Sequence, residues 1–169
     1  MTIATDLTPL EILGVAIRSE IEAANLYRHM VAQVANLDLK ERLGFLVQEE
    51  EKHRRILEAA YRRQFPEVPL ALPAQSLVPT IAARVQAGAL PPELFRLAME
   101  AEQMSERFYA EQAGRTAEEN ARASLTYLSR MERGHYELLR NELEMIERFP
   151  TYYQVEVFDM GQDMVHFGP

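Results

Sequence analysis

Two short motifs in this sequence combine residue types that can do chemistry: Glu50 with His53, and Glu132 with His135. In each Glu-x-x-His, carboxylate and imidazole stand about one turn apart on the same face of an α-helix. The surrounding residues show which face that is. Leu39, Leu43, Leu46, Glu50, His53, Leu57 and Ala60 follow at spacings of four and three, as do Ala121, Leu125, Leu128, Glu132, His135 and Leu139. Such a stripe is the core-facing side of an amphipathic helix. Two members of each stripe are polar. The second motif lies 82 positions after the first, and the same offset relates Glu20 to Glu102 and Tyr27 to Tyr109. Glu20 falls on the stripe Leu13, Ala16 or Ile17, Ala24, Tyr27, Val31, Val34, and Glu102 on Leu94, Ala98, Ser105, Tyr109.

Four carboxylates and two imidazoles in core seams are costly, because each desolvated ion loses several kcal/mol unless it is compensated. Cations are the direct compensation. One Glu from each of two helices and one Glu-x-x-His from each of two others make the ligand set of a di-iron or di-manganese carboxylate site in a helix bundle. Two divalent ions would match the four carboxylates charge for charge. The competing reading is a bundle whose buried Glu and His satisfy one another without metal. A lone Glu-x-x-His would not separate the two, but the shared offset of all the pairs favours the metal.

Hydrophobic residues at 47% and charged residues at 26% over 169 positions suit one globular domain with a real core, residues 1–169. A net charge of -8 without a basic patch excludes nucleic acid as the expected partner. The absence of cysteine excludes disulfides, Cys-ligated zinc and an iron–sulfur or rubredoxin-type centre within these residues. Electrons for any redox reaction would come from an external donor. No apolar run is long enough to span a membrane, and Met1 to Asp6 lack a signal pattern, so no membrane association and a cytoplasmic location are expected.

The elements that would position these residues can be read from caps and breakers. Thr8-Pro9-Leu10-Glu11 opens a first helix over about 9–35; Asp38-Leu39-Lys40-Glu41 opens a second over about 39–64, stopped by Pro66. Pro91-Pro92-Glu93 opens a third over about 91–113, ended by Gly114, and Thr116-Ala117-Glu118-Glu119 caps a fourth over about 117–149. The predicted fold is all-α: a four-helix bundle of two hairpins joined by a long crossover, 65–90, laid along the surface, with a site on a pseudo-two-fold axis. The segment 150–169 leaves the helical pattern yet is rich in Val, Met and Phe, so it is expected to pack on the bundle or on a second subunit of a homo-oligomer. His29 and His166 fall outside the repeated pattern and read as structural or exposed.

Glu20 with Tyr27, Glu50-x-x-His53, Glu102 with Tyr109 and Glu132-x-x-His135 resemble the rubrerythrin-like proteins of the ferritin-like superfamily, over roughly residues 8–149. The resemblance implies two Fe ions, with Mn as the alternative; Glu50 and Glu132 bridge or chelate them, Glu20 and Glu102 are terminal carboxylates, and His53 and His135 hold one metal each. Tyr27 and Tyr109 would stand beside the site as candidate catalytic residues. The implied activity is a di-iron peroxidase or ferroxidase reducing hydrogen peroxide or dioxygen, with iron storage, a dimanganese catalase or a di-iron oxygenase as alternatives. Two departures stand out. No rubredoxin-type segment is present, and Ser105, followed by Glu106, occupies the place of an additional family carboxylate. Glu22, Glu49, Glu51 and Glu111 lie off the inward stripes.

Overall fold

A computed structural model describes residues 7–74 and 91–150, and four helices are present among them: α1 (Pro9–Gln33), α2 (Leu37–Gln64), α3 (Pro91–Arg115) and α4 (Glu119–Arg148). Each boundary has a local cause. Thr8 Oγ1 accepts from the Glu11 amide at 3.3 Å while Glu11 Oε2 accepts from the Thr8 amide at 2.8 Å, with Pro9 at the first helical position. α2 and α4 stop at Phe65 and Phe149, both followed by proline and both at nearly the same dihedral angles (φ -130, ψ 60 and φ -132, ψ 61). A residue before proline is pushed out of the α region, and the helix ends there.

Four boundaries differ from the expected ones. α2 starts at Leu37 because Asn36, not Asp38, is the cap, its Oδ1 accepting from the Leu39 amide at 3.0 Å. α1 stops at Gln33, and Val34 takes an extended conformation with its side chain buried. α3 continues through Gly114 to Arg115, and the Thr116 amide still donates to the Gln112 carbonyl at 3.1 Å. Thr116 therefore completes α3 and does not open α4. That role falls to Glu118, whose carboxylate accepts from the Asn120 and Ala121 amides at 3.0 and 2.6 Å.

α1 packs on α2 and α3 on α4 as two hairpins; across them α1 meets α3 and α2 meets α4, and the diagonal pairs do not approach. Pairing residues fix the directions. Tyr27 reaches Glu102 and Tyr109 reaches Glu20, so α1 and α3 are antiparallel; Arg42 pairs with Glu142 and His53 lies by Glu132, so α2 and α4 are too. The core holds the predicted stripes, with Leu43, Leu46, Leu57, Leu94, Leu128 and Leu139 all buried. Burial of each such Leu contributes about 1.5–3 kcal/mol. Val31, Ala60 and Ala121 are only partly buried, and Met30 takes the inward position on α1 in place of Val31.

The first part of the crossover lies on the bundle. Tyr61 Oη donates to the Pro69 carbonyl at 3.2 Å, and a Cβ at Gly14 would lie 3.3 Å from Pro73 Cδ. The remainder of the crossover, 75–90, and the segment 151–169 lie outside the described residues. Among the described residues no helix is long and apolar enough to cross a membrane.

Gly44 sits inside α2, and a Cβ there meets nothing within 4 Å. Gly44→Ala is expected to raise unfolding stability by about 0.5–1 kcal/mol through helix propensity alone. Gly14→Ala should gain less, because Pro73 must give way; urea denaturation of both variants measures the difference.

Candidate metal centre

Each helix brings its polar residues to the middle of the bundle because they occupy places on an apolar stripe. Glu20 comes from α1, Glu50 and His53 from α2, Glu102 from α3, and Glu132 and His135 from α4; all six are buried, none exposing more than 3% of its surface. Glu50, His53, Glu132 and His135 offer ligand atoms that all lie within 4.8 Å of one another. The sequence pattern predicted this convergence.

The arrangement is two-fold symmetric down to the atom. His53 Nδ1 lies 3.5 Å from Glu20, 3.4 Å from Glu50 and 3.2 Å from Glu132. His135 Nδ1 lies 3.6 Å from Glu102, 3.3 Å from Glu132 and 2.9 Å from Glu50, which is the same set shifted by the repeat. The two imidazoles stack with centroids 5.3 Å apart and planes 14° from parallel. Tyr27 donates its hydroxyl to Glu102, and Tyr109 donates its hydroxyl to Glu20. Each tyrosine ties its own hairpin to the carboxylate of the other.

Despite these short approaches, Glu50 Oε1, Glu132 Oε1 and both ring nitrogens of His53 and His135 have no hydrogen-bond partner among the described residues. Oxygens surround each Nδ1 without lying on a hydrogen-bonding line. Buried polar groups normally find partners, and leaving one unsatisfied costs about 1–3 kcal/mol. Atoms that face a common centre without bonding one another fit a bound cation, and mixed imidazole and carboxylate donors suit a first-row transition ion.

Without metal, the ionisation states balance by themselves. Burial opposes charge on His53, but the Glu132, Glu20 and Glu50 carboxylates push its pKa up to about 12. His135 is raised against burial in the same way by Glu102, Glu132 and Glu50. Burial also opposes charge on Glu50, yet the His135 and His53 imidazoles hold it well below the usual carboxylate range. Glu132 is lowered too: burial and the Glu50 charge work against it, and His135 and His53 prevail. Glu20 is raised by burial and by the charge of Glu132; Glu102 is raised by burial and by the charges of Glu50 and Glu132. Two imidazolium ions, two carboxylates and two carboxylic acids sum to zero. Burial, with Glu102 beside Tyr27 and Glu20 beside Tyr109, raises both phenols and keeps them neutral donors.

The other acids stay out of the cluster. Glu22 pairs with Arg18 at 2.7 Å, Glu49 with Lys52 at 3.0 Å, Glu51 with Arg28 at 2.6 Å and Glu111 with Arg115 at 2.6 Å. Glu106 is half-buried with Arg133 at 3.8 Å, and Ser105, buried one turn from Glu102, adds no carboxylate. His29 is exposed, and His166 lies outside the described residues. One buried acid escaped the sequence reading: Glu142, paired with Arg42 across α2 and α4. Its signal was present, since residues 135, 139, 142 and 146 continue the stripe, but its repeat counterpart is Ala60 and the offset could not reveal it.

Two stacked helical hairpins with a Glu/His cluster at their centre define the ferritin-like class. The chain belongs to the rubrerythrin family, whose model matches residues 11–143. It is similar to a hypothetical protein from Pyrococcus furiosus, with 32% identity over 86% of this chain and 94% of that one and a TM-score of 0.76. The silver-bound form of CopM, at 11% identity, shares the fold over 85% of this chain and 97% of that one with a TM-score of 0.66. No curated protein matches the chain significantly.

Two predictions follow the geometry. Tyr27→Phe and Tyr109→Phe each leave a buried carboxyl oxygen without its donor and should lower stability by about 1–3 kcal/mol; two-fold equivalence requires similar losses in denaturant titrations of the two variants. The second concerns pH in protein stripped of metal with a chelator. His53 has a folded pKa near 12 against an ordinary 6.5, so its contribution is whole below 6.5 and drains away as pH climbs. Glu20 and Glu102, also raised, lose theirs in the same direction. Stability of the metal-free protein should therefore fall as pH rises above about 6.5, measured as a dropping Tm.

Proposed function

We propose that this chain is a non-haem di-iron oxidoreductase that reduces hydrogen peroxide, or dioxygen, with electrons from an external donor protein. The observation that carries the reading is the set of buried, unbonded ligand atoms on Glu50, Glu132, His53 and His135, flanked by Glu20 and Glu102. Family membership supports it. His53 and His135 would hold one ion each, Glu50 and Glu132 would be shared between the two ions, and Glu20 and Glu102 would complete the set. Two iron ions in such a site supply two electrons together, the number that reduction of peroxide to water requires.

The chain's own residues do the rest. Imidazole donors favour iron over magnesium and calcium, and carboxylates stabilise the oxidised ions. Tyr27 and Tyr109 fix the orientation of Glu102 and Glu20 and hold a proton on each phenolic oxygen, next to the carboxylates. The leucine layers above and below keep bulk water out. The chain has no cysteine and so no cysteine-ligated electron carrier of its own, and reduction would depend on the donor.

Anaerobic loading with Fe(II) tests the reading. Two iron atoms per chain are expected to bind, followed by stoichiometric oxidation on addition of peroxide and turnover when a reductant is supplied. Glu50→Ala and Glu132→Ala should each lose at least one of the two ions while remaining helical by circular dichroism. Saturation far above two iron atoms per chain would favour storage instead, and disproportionation of peroxide without a reductant by the manganese-loaded protein would favour a catalase.

A further inference from the structure

The metal cluster uses the inward faces of α2 and α4, and their outward face is apolar too. Helical spacing puts Phe45 and Lys52 of α2 on that face, with Tyr127, Gly134, Leu138 and Met145 of α4 beside them. Lys52 pairs with Glu49 at 3.0 Å and also interacts with Tyr127 across the seam, so the two helices share one surface. Phe45, Tyr127 and Met145 each expose 40% or more of their surface, and a Cβ on Gly134 would meet nothing within 4 Å. Large apolar side chains gathered on one face mark an interaction surface.

Register and charge say what covers it. Arg42 pairs with Glu142 and His135 lies 2.9 Å from Glu50, so α2 and α4 run antiparallel with Gln48 level with Tyr136. A two-fold axis crossing both helices at that level lays each of them antiparallel on its own copy. Glu41 and Arg55 stand seven residues on either side of Gln48, so each Glu41 meets the partner's Arg55. Both are exposed, and neither has an ion-pair partner among the described residues. Tyr127 and Met145 stand nine residues on either side of Tyr136, and Gly134 and Leu138 stand two. The Tyr127 ring therefore meets a thioether, and Leu138 enters the open space at the partner's Gly134. Opposite charges come together at both ends of α2, where two chains of net charge -8 would otherwise repel. The face measures about 30 Å by about 20 Å, or ~600 Å², near the ~800 Å² that each partner buries in a standard interface.

We propose that this chain forms a homodimer through the outward face of α2 and α4, with the two-fold axis passing at Gln48. The contact is isologous, each residue meeting the same set on the other copy. It stands apart from the metal reading, because all six cluster residues are buried inside the bundle.

Sedimentation equilibrium of the full chain tests the face, and single cysteines test the register. The unaltered chain is expected to be dimeric at micromolar concentration. Phe45→Glu and Tyr127→Glu should each weaken the dimer at least about tenfold while helical circular dichroism is kept. Arg55→Glu should weaken it too, and Glu41→Arg in the same chain should restore it. Because the chain has no cysteine, Gln48→Cys introduces its sole thiol, which should form a disulfide-linked dimer when oxidised with diamide. Arg55→Cys should not, since the axis leaves the two copies of that position about 21 Å apart. If Phe45→Glu fails to fold, Tyr127→Glu and the cysteine variants still decide. A monomeric chain, with the face bare, taken by another protein or covered by residues 151–169, would overturn the proposal. So would a dimer indifferent to Phe45→Glu and Tyr127→Glu, or Gln48→Cys cross-linking no better than Arg55→Cys.

Discussion

Everything in this bundle is arranged around charge that has no water to stabilise it. Four carboxylates sit where four helices meet, and their mutual repulsion and desolvation would together exceed the few kcal/mol by which an ordinary domain is stable. Neutrality is therefore the governing constraint. Without metal it is met by two imidazolium ions and two protonated carboxyls. With two divalent ions it would be met by the metals, and the imidazoles and acids would give up their protons. On the proposed reading the interior would have two neutral forms built from the same six side chains, and metal and protons would compete for them.

The two-fold repeat makes this economical. α1 meets α3 and α2 meets α4 in antiparallel fashion, so each hairpin supplies three of the six residues and the other supplies their two-fold equivalents. The tyrosines are the clearest consequence. Each crosses between hairpins to the partner's carboxylate, so that a hydrogen bond serving the site also fixes how the hairpins sit on each other. Departures from the repeat occur where the site does not need it. Glu142 and its Arg42 partner have no counterpart, since the position 82 residues earlier holds Ala60.

The centre of the molecule was legible in the sequence because burial and chemistry coincided there. A glutamate among leucines at helical spacing is informative, and Glu20, Glu50, His53, Glu102, Glu132 and His135 all announced themselves in that way. The helix ends were less legible for a physical reason. Asp38 and Thr116 are good caps by type, but Asn36 and Glu118 capture the free amides, because the preceding helices end earlier and later than composition suggests. The apolar outer face was illegible for another reason. Phe45, Tyr127 and Met145 read as scattered surface residues, and only the antiparallel pairing of α2 with α4 sets them on one face.

Anomalous diffraction from crystals loaded with Fe(II) tests the central claim most directly, because it locates the compensating charge itself. Two iron peaks are predicted in the bundle interior, one beside each imidazole and both within reach of Glu50 and Glu132. Iron confined to surface carboxylates, with none beside His53 and His135, would contradict the account.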